Sequence, residues 1–118
     1  MDSVFKNRAI RALMPNMNFI MVDSDVIVQD GSTLPSDSDI AANMLIQQNL
    51  YAFTLLRDMR NSLLTNSDKY MLVDYPITSD LKASWTTYRQ ALRVLPDNLA
   101  GQTLDYTNIS QYFPMSPS

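Results

Sequence analysis

Asp68 and Asp74 are carboxylates whose placement invites a chemical reading, since both lie in TNSDKYMLVDYPIT, a segment between two stretches of helical periodicity. Two carboxylates held at a fixed separation across a cleft can divide general acid and general base roles, as in glycoside hydrolysis. That chemistry needs an activating neighbour, and the sequence names none. It contains no histidine and no cysteine, which excludes thiolate nucleophiles, Cys/His zinc sites, serine–histidine triads and the usual near-neutral proton shuttle. With Gly31 and Gly101 as its two glycines it cannot build a glycine-rich phosphate loop or dinucleotide turn. A second chemistry suits the residues better. Arg57 and Arg60 stand near the end of the first helical stretch, Arg89 and Arg93 on the second, and a guanidinium fork matches a carboxylate in two parallel hydrogen bonds. If the helices form an antiparallel hairpin, an arginine meets Asp68 or Asp74 at the corner and the ion pair fixes the loop. The alternative is that these charges are solvated and contribute ~0–1 kcal/mol per pair. No metal and no cofactor is expected.

The elements that must position these groups are legible in part. Ser36, after Pro35 and three residues before Asp39, resembles a capping box with Asp in place of Glu, and predicts a helix running without Gly or Pro to about Leu64. Leu45, Ala52, Leu56, Met59 and Leu63 form one apolar face of it and Met44, Tyr51 and Leu55 an adjacent one, an arc wide enough for more than one neighbour. The second helix shows a narrower seam, Leu81, Trp85, Tyr88, Leu92 and Leu95, at spacings suited to packing against another helix, and Pro96 is expected to stop it. On that seam Trp85 and Tyr88 read as core rather than as a platform for stacking a ligand. The joining segment is long for a helical turn, which favours a self-packed or functional loop.

Ahead of this unit, Phe5, Ala9, Ile10 and Leu13 predict a short helix from about Ser3 to Leu13, closed by Pro15. FIMV and VIVQ, separated by Asp23-Ser24-Asp25, predict a β-hairpin; both runs are apolar at consecutive positions, so the buried face and register stay open, as does pairing of its edge with another chain in a homo-oligomer. Residues 97–118 lack helical periodicity and hold Tyr112, Phe113 and Pro114 among polar residues. Two readings remain: Tyr112 and Phe113 dock into a partner's groove, or the tail folds back over the helix pair.

Length fits one domain, 118 residues. A formal charge of -3, without long runs of either sign, makes nucleic acid a poor partner. The apolar stretches are too short and interrupted to span a membrane, and the N-terminus lacks the apolar core and cleavage site of a secretory signal, so a cytoplasmic site of synthesis is expected.

The order of residues from Arg57 to Pro96 carries a resemblance. Arg57, Arg60, Asn61, Leu63, Leu64, Ser67 and Asp68, then Asp74 and Pro76, then Trp85, the run Tyr88 to Arg93, Leu95 and Pro96 resemble the tail assembly chaperone-like family of tailed bacteriophages. Upstream, ALMPNMNFIMVDSDVIV followed by LPSDSDI is similar to the leader found ahead of this unit in many phage proteins. The chain departs from the pattern at Lys69, where many members have tryptophan, and at Val94, where many have aspartate. The resemblance implies a role in tail or tail-fibre morphogenesis, with a phage tail or tail-fibre protein as partner. It implies residence in the host cytoplasm during assembly, or in the virion tail if the protein stays in the particle.

The expected fold is α+β: a short N-terminal helix and β-hairpin leader (1–35), an antiparallel helix pair with a structured loop (36–96) and an extended C-terminal tail (97–118). The expected function is non-enzymatic, a chaperone of tail or tail-fibre assembly; the alternative is a virion structural protein, an adaptor retained in the mature particle. The residues expected to serve structure or partner binding are Arg57, Arg60, Asp68, Asp74, Trp85, Tyr88, Arg89, Arg93, Tyr112 and Phe113.

Overall fold

Phe5, Ala9 and Ile10 are fully buried on one side of the first helix, α1 (Asp2–Leu13), in a computed structural model that describes residues 2–117. Two antiparallel strands follow, β1 (Phe19–Val22) and β2 (Asp25–Val28), then two long helices, α2 (Asp37–Ser67) and α3 (Ser79–Asn98). The fold is mixed α+β and mostly helical, as expected. Among the described residues no helix is long and apolar enough to cross a membrane. By its internal contacts the chain divides into two compact units after Tyr51, within α2.

In the first unit the strands pair Phe19 with Val28, Ile20 with Ile27, Met21 with Val26 and Val22 with Asp25. Asp23 takes a left-handed conformation, φ 57°, which an aspartate tolerates better than a β-branched residue such as the neighbouring Val22 would. The register answers what the consecutive apolar runs left open. Phe19, Met21, Val26 and Val28 turn toward Ala9, Ile10, Met17 and Ile40 in one apolar cluster, while Ile20, Val22 and Ile27 lie on the other face, each about half exposed. Two arginines of α1 cover rings of this unit: Arg8 lies over Phe5 and Tyr51, and Arg11 stands 4.7 Å from the centre of Phe19. Asp30 ties the hairpin to the following loop, its carboxylate accepting from the backbone N–H of Asn18 (2.8 Å) and of Ser32 (3.0 Å). These bonds hold the Asp30 carboxyl below the usual carboxylate range, the Asn18 N–H contributing most. The Ser36 hydroxyl then accepts from the Asp39 N–H at 3.2 Å and starts α2.

In the second unit Ala52, Leu56, Leu95, Leu104 and Ile109 form the buried cluster, with Phe53, Leu55, Tyr106, Tyr112 and Phe113 packed against it. The C-terminal segment therefore folds back as far as Phe113, ending in a 3₁₀ turn at Ile109–Tyr112 whose Tyr112 hydroxyl accepts from the Asp105 N–H.

Three expectations are corrected. α2 continues past Leu64 to Ser67, because nothing before Pro76 breaks it and the Ser67 hydroxyl donates back to the Leu63 and Leu64 carbonyls. Pro96 does not stop α3: it lies in the last turn, where it removes one N–H donor, and Leu99 still donates to the Leu95 carbonyl at 3.1 Å. Leu45 and Met59 belong to no core face, being 63% and 39% exposed; the apolar arc of α2 is wider than the surface its neighbours cover.

Two measurements check this packing. Leu56→Ala should lower the urea-unfolding free energy by about 2–5 kcal/mol, since Leu56 is fully buried in the second cluster. The stability contributed by Asp30 should be present above its unfolded pKa of about 4 and be lost as pH falls through its lowered folded value. The gap between wild type and Asp30→Asn should therefore shrink on acidification, and a gap that stayed constant with pH would refute the linkage.

Candidate functional site

The last turn of α2 carries no basic residue, so the helix ends with carbonyls that need donors and a partial negative charge that needs a cation. Arg89 supplies both from α3. Its Nη1 donates to the Leu64 carbonyl and to the Ser67 hydroxyl, each at 2.6 Å, and its Nη2 donates to Asp68 Oδ1 at 2.7 Å. Ser67 and Arg89 are among the buried polar residues, whereas the Asp68 side chain is 64% exposed. A guanidinium is expensive to bury unless its N–H groups find acceptors, and here a carbonyl, a hydroxyl and a carboxylate meet Nη1 and Nη2; Nε is buried without a protein acceptor. The corner of the helix pair is thus closed by one side chain.

Beyond Asp68 the chain makes a 3₁₀ turn, Asp68–Met71, that delivers Tyr70 onto Trp85. The two rings stack with centroids 4.2 Å apart and planes inclined by 16°. Tyr75 meets Tyr70 edge-on at 5.3 Å and Tyr88 meets Trp85 edge-on at 5.6 Å, so four rings join the loop to α3. Backbone turns from Leu72 to Lys69 and from Tyr75 to Leu72 shape the tip, and the Thr78 hydroxyl accepts from the Leu81 N–H to start α3. The tip leaves Leu72 55% and Val73 97% exposed on a braced loop. Burial raises the Tyr88 phenol above its ordinary pKa, keeping it neutral.

The other residues singled out from sequence lie apart from this corner. Arg57 packs over the Phe53 ring at 5.6 Å, and Arg60, about two turns inside α2, donates to the Asn61 side chain. Arg93 and Asp74 are exposed, and Tyr112 and Phe113 rest on the second apolar cluster. Trp85 is half-buried rather than core. Sequence reading missed Ser67 and Tyr70. Ser67 stands beside Asp68 in the motif, and Tyr70 shows that the loop aromatic is present one position beyond Lys69. Among the described residues no group of three or more His, Cys, Asp or Glu side chains could hold a metal ion.

Residues 53–110 match the model of a family described as phage tail assembly chaperone protein, and this segment contains Ser67, Asp68, Tyr70, Trp85, Tyr88 and Arg89. No curated protein and no solved structure matches the chain significantly.

The unequal burial of the Arg89–Asp68 pair sets unequal consequences. Arg89→Met should cost about 1–3 kcal/mol in urea unfolding by removing charge-assisted bonds to the end of α2, and Asp68→Asn less than about 1 kcal/mol because that carboxylate faces water. Equal losses would show that the ion pair, rather than the helix-end bonds, carries the corner.

Proposed function

We propose that this chain, which belongs to the phage tail assembly chaperone protein family through residues 53–110, acts without catalysis by holding a tail or tail-fibre component in an assembly-competent state in the host cytoplasm. The family match carries this reading. The geometry supports it in two ways. Asp68, a carboxylate that could have entered acid–base chemistry, is engaged by the Arg89 guanidinium at 2.7 Å, an arrangement that suits structure. The braced loop also offers Leu72 and Val73 to solvent, and an apolar tip held rigid before contact loses little entropy on docking against an apolar surface of a tail protein. In this reading Asp74, Arg57, Arg60 and Arg93, all outside the closed corner, are candidates for polar contacts at the rim of such an interface.

A second reading is an adaptor subunit retained in the particle. The observation favouring it is the outer hairpin face, where Ile20 and Ile27 stand opposite one another beside Val22, an apolar surface of the kind that permanent interfaces cover.

Quantitative mass spectrometry of this protein in purified mature particles, set against its level in infected-cell lysate, separates the two. The chaperone reading expects abundance in lysate and loss from particles. Stoichiometric retention in particles would overturn it in favour of the adaptor.

A further inference from the structure

Pro114 and Pro117 are half-buried, while Met115 between them is 94% exposed and Ser116 is exposed. A polyproline II segment has three residues per turn, so residues three apart fall on one side, and this burial pattern has that period. The segment has no regular secondary structure and supplies no member of either apolar cluster; the last residues that do pack there are Tyr112 and Phe113. What the prolines face is α3. Residues Pro114 to Pro117 form one wall of a cavity of about 520 Å³ whose other wall is the stripe Leu81, Ser84, Tyr88 and Ala91. Ser116 also borders a neighbouring cavity of about 280 Å³ lined by Tyr70, Trp85 and Tyr88.

Ser84 and Ala91 are small side chains on either side of Tyr88 on this wall, and Tyr88 and Ser116 border both cavities, which brings the Tyr70 and Trp85 rings next to the groove beneath the strap. Grooves bordered by aromatic side chains take P-x-x-P segments, because the extended backbone is already ordered and pyrrolidine faces pack on rings; here Tyr88 lies in the groove itself and Tyr70 and Trp85 in the adjoining cavity. The α3 wall of the groove lies inside the segment that matches the family, residues 53–110, and the strap lies beyond it. We propose that this face of α3 is a recognition groove for an extended, proline-containing peptide, and that Pro114-Met115-Ser116-Pro117 occupies it in cis as a tethered stand-in for a partner's segment of the same chemistry. A tethered ligand acts at an effective concentration near the millimolar range, so it masks the groove against weak competitors until a tighter segment displaces it.

The inference rests on reading the chain as a binding module, and its test needs no tail protein, so it can fail while the assembly role stands. The full chain with Pro114→Ala and Pro117→Ala is titrated with a synthetic hexapeptide of the sequence of residues 113–118, following the fluorescence of Trp85, the chain's single tryptophan. The unmasked variant should bind saturably, and the wild-type chain about tenfold or more weakly, because its own strap competes. A peptide with both prolines replaced by alanine should not bind. A chain ending at Phe113 is the second variant and should bind as the double variant does. Absence of a saturable change in both variants, while they keep the wild-type melting transition, would overturn the groove. Equal affinity in wild type and variants would overturn the masking.

Discussion

Arg89 carries a positive charge into the place where α2 runs out of donors. A helix end that is buried must satisfy its last carbonyls, and α2 has neither a glycine cap nor a basic residue in its final turn to do so. The solution is tertiary. The guanidinium reaches from α3 to the Leu64 carbonyl, the Ser67 hydroxyl and the Asp68 carboxylate, so the end of one helix, the start of the loop and the middle of the second helix are fixed by one planar group. Because the fork is rigid, it also sets the direction in which the chain leaves α2. The 3₁₀ turn that follows can then lay Tyr70 flat on Trp85. Loop shape, aromatic stack and the approach to α3 all depend on that placement.

How far this was legible from sequence varies with the kind of signal. The spacing of Phe5, Ala9, Ile10 and Leu13, closed by Pro15, defines α1 because periodicity and terminator agree. The Ser36 cap defines the start of α2 for the same reason. Its end was not legible, since the group that satisfies it, Arg89, lies 22 residues beyond Ser67, and local sequence contains no trace of that bond. Choosing among Arg57, Arg60, Arg89 and Arg93 as the partner of Asp68 needed the rotation of α3 about its axis. Leu45 and Met59 show the reverse limit: periodicity finds the apolar stripe but not how much of it a neighbour covers. In the C-terminal segment Leu104 and Ile109 are isolated apolar residues among polar ones, and their burial against Leu56 and Leu95 is a long-range event that no local pattern announces.

The same constraint bears on function. A binding protein without a reaction centre gains specificity from surfaces whose shape exists before the partner arrives. The exposed tip at Leu72 and Val73 follows the turn that Asp68 opens, and the loop rings Tyr70 and Tyr75 connect it to Trp85 and Tyr88 on α3. The first compact unit, with its hairpin and the cation–π contacts of Arg8 and Arg11, has its own core and its own exposed apolar face.

If one guanidinium fixes the end of α2, the start of the loop and the middle of α3, the corner should open and close together with α3. Amide hydrogen exchange on the full chain tests it most directly, comparing wild type with Arg89→Lys, which keeps the charge but replaces a planar fork with a point donor. Amides from Leu64 to Met71 should be protected to the same extent as those around Leu92 in the wild type. The substitution should lower protection in the corner while leaving Ala9 and Ile10 unchanged. A corner that exchanges freely in the wild type, or one unaffected by the substitution, would contradict it.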